Sequence, residues 1–95
     1  MRVLLRPRAE DDLDGIALYT RREWGHAQAV QYIGQLRATC EHVLPECHRL
    51  ARPLGERPDV LRWRCERHVI YFQRVHDGLE VMRILHERMV PGLHL

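Results

Sequence analysis

Residues 69–85, VIYFQRVHDGLEVMRIL, hold two β-branched and aromatic runs, Val69–Val75 and Leu79–Leu85, on either side of His76-Asp77-Gly78. Such side chains favour strands. Asp-Gly between two apolar runs is the strongest short-range signal for a tight hairpin, so the runs are expected to pair antiparallel. Just upstream, residues 60–66 alternate, with Leu61, Trp63 and Cys65 on one face and Arg62 and Arg64 on the other. A strand with one buried face needs that period of two, so the C-terminal third reads as three consecutive strands.

The N-terminal half has a different period. Arg2–Arg6 is a short apolar stretch closed by Pro7, which suits a strand running into a helix that accepts proline in its first turn. From Pro7 to Trp24 the acids gather early (Glu10, Asp11, Asp12, Asp14), and Arg21 and Arg22 come late, as the helix dipole prefers. The inward stripe is expected at Leu13, Ile16, Ala17, Thr20 and Trp24, with Gly25 as C-cap. A second helix is expected from His26 to Leu44, stopped by Pro45, with Ala29, Ile33, Leu36, Cys40 and Val43 inward. So short a joint makes the two helices an antiparallel hairpin. The segment from Pro45 to Asp59 holds three of the five prolines and Gly55, and reads as a loop. The order is β-α-α-β-β-β, an α+β fold in one domain spanning 1–95. The helical hairpin should cover one face of a small, mostly antiparallel sheet and leave the other open.

Composition narrows the class. With 95 residues there is room for a single core. No run approaches eighteen apolar residues, and the N-terminal apolar stretch meets charge and Pro7 too early for a signal peptide, so a cytoplasmic protein without membrane attachment is expected. Cys40, Cys47 and Cys65 cannot all pair within one chain and form no zinc-ligand spacing, so they read as reduced core thiols and no metal is expected. All 15 basic residues are arginine, the side chain suited to bidentate contact with carboxylates and phosphates. A net charge of +2 is too small to argue nucleic-acid binding by itself. Phosphate-cradling glycine loops, a nucleophile elbow and HExxH are absent, so no small-molecule cofactor is implied.

A strand, a helical hairpin joined at Trp24-Gly25, a Pro/Gly loop and the run from Arg67 to Met89 together resemble the ParE/RelE superfamily of small bacterial toxins over almost the whole chain. The final hairpin, ending Arg83-Ile84-Leu85-His86-Glu87-Arg88-Met89, is similar to the ParE branch. So is the helix pattern of Asp12-Leu13, Ile16, Tyr19, Trp24-Gly25, Ala29 and Tyr32. The resemblance implies a type II toxin-antitoxin toxin that binds and poisons DNA gyrase and is held in a hetero-oligomer by a ParD-like antitoxin. The RelE branch implies the alternative, ribosome-dependent mRNA cleavage. A third possibility is a remnant that only sits in a regulatory complex.

For an acidic, apolar antitoxin segment the expected contacts are Arg62, Arg64, Arg83 and Arg88 as carboxylate clamps, with Trp63 and Tyr71 as apolar partners and a groove along the helical hairpin. Trp63 stands apart, because alternation puts it opposite the two arginines. For RNA cleavage the candidates are His68, Arg83 and His86, since the reaction needs a base, an acid and a cation on the phosphate. Arg83 also reads as a strand arginine paired with Glu80 or Glu66.

Overall fold

The computed structural model describes every residue from Met1 to Leu95. Strand β1 (Arg2–Leu5) leads into helix α1 (Pro7–Trp24), and helix α2 (His26–Ala38) folds back on it. Pro7 opens α1 at a position whose N–H would lack a helical partner in any case. Gly25 makes the joint: its φ of +94° is open to glycine, and its N–H donates to the Arg21 carbonyl at 3.0 Å. Strands β2 (Arg52–Leu54), β3 (Arg57–Cys65), β4 (His68–Val75) and β5 (Gly78–His86) complete a five-stranded sheet in the order β1-β5-β4-β3-β2. Only the β1–β5 pair is parallel. The expected architecture is present, with one strand more than the sequence leads one to expect.

That strand is β2, which lies inside the segment read as a loop. Leu54 and Arg57 pair across the Gly55-Glu56 turn, and Pro53 is tolerated because β2 is an edge strand with no outer neighbour awaiting its N–H. The second helix also departs from expectation. It does not stop at Pro45 but passes through a π-helical turn, Thr39–Val43, into a short α-helical turn, Leu44–Cys47, and a 3-10 turn, His48–Leu50. Pro45 cannot donate a hydrogen bond and crowds the carbonyl four residues back. The preceding turn widens to a bond from the Leu44 N–H to the Thr39 carbonyl, and the chain passes the proline without ending. One extra residue in that turn rotates everything after it, so Leu44 is buried while Val43, expected inward, is 37% exposed.

The core between helices and sheet holds Ala9, Leu13, Leu36, Cys40 and Leu44 from the helical side and Leu61, Cys65, Ile70, Phe72, Leu79, Val81 and Ile84 from the strands. Cys47 is half-buried and outside that core, unlike Cys40 and Cys65. Trp24, expected in the stripe of α1, is 72% exposed; Ile16 and Ala17 are half-buried and Ala9 joins the core instead. Gly78 is required by close approach: it faces Arg2 across the β1–β5 pair, and a Cβ there would lie 2.0 Å from the Arg2 carbonyl oxygen.

The opposite sheet face, expected to be open, is partly covered. Leu54, Val60, Tyr71, Met82 and Leu85 form a second apolar cluster there, and Leu95 from the C-terminal tail packs on it. The tail is shaped by a 3-10 turn, Pro91–Leu93, and its His94 carbonyl accepts a hydrogen bond from Arg83 Nη1 at 2.8 Å.

Candidate binding surfaces

Arg83 owes its position to an irregularity. Phe72 pairs with Val81 but Tyr71 pairs with Arg83, leaving Met82 as an extra residue in β5. Such a bulge re-aims the side chains that follow it. Arg83 Nε and Nη2 donate to Asp12 Oδ2 and Oδ1 of α1, each at 2.8 Å, with both side chains only 13–14% exposed. β1 has ended at this level, and the Ile84 N–H is capped instead by Asp12 Oδ2 at 2.9 Å. The pair holds α1, β5 and the tail together. Its carboxylate is Asp12 rather than the expected Glu80 or Glu66; Glu80 pairs with Arg6, and Glu66 accepts from Gln35. Among the residues expected to clamp an antitoxin, Arg83 therefore already has its donors directed within the chain.

The other expected contacts divide by face. Arg62 and Arg64 project on the same side as Tyr71, which is buried in the second cluster with its hydroxyl pKa raised by burial. Trp63 projects to the helical side and packs half-buried against the main core. Arg64 reaches the Glu66 carbonyl and Glu87. Arg62 and Arg88 make no side-chain ion pair, and Arg88 stands exposed in the turn after β5. β2 adds a residue not expected from the sequence: Arg52 sits directly opposite Arg62, and neither guanidinium has a carboxylate. Like charges in register repel. Their juxtaposition depends on β2, and the only sequence signal for β2 was the Gly55-Glu56 turn. A shallower apolar groove runs along the outside of the helical hairpin between Leu18 and Val30.

His68 and His86 come together and Arg83 does not join them. The two rings face each other across β4 and β5 in an edge-to-face arrangement, 5.4 Å between centroids. The Tyr32 hydroxyl, its pKa raised by burial, shares a 2.6 Å hydrogen bond with His68 Nδ1 and accepts the Arg67 N–H at 3.3 Å. That bond ties α2 to the β3–β4 turn, where Glu66 takes a φ of +55°. His86 Nδ1 accepts the Arg88 N–H at 3.1 Å. Burial, then the neighbouring His86, push His68 down to about 4. A histidine held neutral at physiological pH orients groups and packs; it is a poor proton donor there.

His68 binds its proton more tightly when unfolded, near 6.5, than when folded, so stability is full above pH 6.5 and falls as the pH drops toward 4. Because the ring is only about half-buried, the expected loss is about 1–2 kcal/mol. Urea unfolding of wild type and His68→Gln at pH 7.5 and pH 4.5 checks this: the difference between the two pH values should be smaller in the variant by that amount, and equal differences would refute it.

The tyrosine, the two histidines and the last turns of α1 line a groove of about 850 Å³ between the helical hairpin and the end of the sheet. No three His, Cys, Asp or Glu side chains converge to hold a metal ion, and no helix is long and apolar enough to cross a membrane.

Comparison with known proteins extends this description. The pattern of the family described as “ParE toxin of type II toxin-antitoxin system, parDE” matches residues 3–91. The chain is 40% identical over 88 residues to Toxin ParE of Escherichia coli, covering 90% of this chain and 84% of that protein. It is 35% identical over 92 residues to Toxin ParE1 of Caulobacter vibrioides, covering 96% and 94%. Among solved structures, one titled “Chromosomal ParDE TA system from P. aeruginosa” superposes with a TM-score of 0.73 at 17% identity, over 90% of this chain and 95% of that one.

Proposed function

Because the chain belongs to the ParE family of toxins of type II toxin-antitoxin systems, we propose that it arrests growth in the cytoplasm by binding and poisoning DNA gyrase and is neutralised by a ParD-like antitoxin. The observation that carries the antitoxin half is the cationic sheet face. Arg52 and Arg62 oppose one another without a carboxylate, beside Arg64 and an apolar cluster. An acidic segment with apolar side chains would remove that repulsion and cover the cluster, folding as it binds. The outer groove at Leu18 and Val30 offers further apolar surface to the same partner.

The reading is of a binder rather than a hydrolase. The cation that RNA cleavage would need, Arg83, is bound to Asp12, and the histidine facing the groove from β4 is held neutral. Charge reversal at both Arg52 and Arg62 should weaken binding of the cognate antitoxin at least about 30-fold, the equivalent of about 2 kcal/mol. Titration calorimetry measures it, and unchanged affinity would sink the assignment of this face. Purified toxin should inhibit supercoiling by gyrase, and induced expression should raise the SOS response with messages intact. Codon-phased mRNA cleavage would overturn the gyrase reading.

A further inference from the structure

The 850 Å³ groove is unlike the rest of the surface. Its lining carries the carboxylates Asp11 and Glu66 against one guanidinium, Arg67, with Asp12 already neutralised by Arg83, in a chain whose net charge is +2. Trp24 and Tyr19 stand at this groove 72% and 62% exposed, on the last turns of a helix fixed by the Gly25 joint. A tryptophan and a tyrosine presented on a rigid element are the residues that most often anchor protein interfaces, and here neither is covered. Aromatic faces beside an exposed carboxylate suit a cation: the rings attract its charge through their quadrupole, and Asp11, which makes no ion pair within the chain, supplies the counter-charge. The groove lies on the helical side of the sheet, opposite Arg52, Arg62 and Arg64.

We infer that this groove is where the toxin engages its protein target, through a target segment that presents an arginine or lysine flanked by apolar side chains. The inference rests on the proposed reading that the chain acts by binding a protein target. It assigns the two sides of the sheet to partners of opposite charge.

The test uses the full chain carrying Trp24→Ala with Tyr19→Ala, and separately Asp11→Arg, which reverses the charge of the groove without touching the aromatics. All three side chains are exposed, so circular dichroism and thermal unfolding should match wild type. Potency against supercoiling by purified gyrase should fall at least 30-fold for the aromatic pair and about tenfold for Asp11→Arg, with antitoxin Kd within threefold of wild type. Equal potency of variants and wild type overturns the inference and leaves the gyrase reading standing. A parallel loss of antitoxin affinity also overturns it and gives the groove to the antitoxin. If wild-type protein leaves gyrase untouched but the variants lose growth inhibition, the groove assignment is supported and the gyrase reading fails.

Discussion

Asp12→Ala should lower the free energy of unfolding by about 3–5 kcal/mol, the usual cost of leaving one member of a buried ion pair alone. Two penalties combine. Arg83 loses both bonds of its fork at a site 13% exposed, and the Ile84 N–H loses the cap that replaces a neighbouring strand. In a domain of this size that corresponds to a fall in Tm of at least about 12 °C. Arg83→Met should cost less, because the carboxylate it leaves unpaired keeps its hydrogen bond from the Ile84 N–H. The double variant should fall short of the sum by about 1–3 kcal/mol. Chemical denaturation of all four proteins closes the cycle, and strict additivity would mean that the pair is not a unit.

The second large effect tests the π-helical turn. Leu44→Ala should destabilise by about 2–5 kcal/mol, because the side chain is fully buried in the main core. Val43→Ala, one residue earlier and at a position that an uninterrupted helix would turn inward, should cost no more than about 1 kcal/mol. If the order of the two were reversed, the extra residue of the turn would have to lie elsewhere.

These two sites also mark the limits of what could be read in advance. The helix Pro7–Trp24, the joint at Gly25, the alternation of residues 61–65 and the final hairpin were legible because each is governed by residues close by in the sequence. The π-helical turn was not: the spacing Leu36, Cys40, Val43 fits a regular helix, and only Pro45 hinted at the extra residue. The bulge at Met82 was hidden for a related reason. Every side chain near it in LEVMRIL except Glu80 and Arg83 is apolar, so an inserted residue leaves the pattern unchanged, and with it went the partner of Arg83. Trp24 fits the stripe of α1 by spacing, yet the last turn lies along the groove, which no local pattern records. The pairing of Arg52 with Arg62 required a three-residue strand that contains a proline.

The first and last strands of this chain are neighbours in the sheet, Arg2 facing Gly78 and Leu5 facing Val81. That adjacency sets a timetable for synthesis. β1 and α1 leave the ribosome early, but the strand on which both depend comes last, and at about 5–20 residues per second the wait is several seconds. The loop that must close spans most of the chain, which makes this pairing the most non-local contact in the sheet. Until β5 emerges, Leu13 and its neighbours have no sheet to cover them, and the groove has no floor. The groove and the complete sheet are therefore acquired together, only once the last strand has been made.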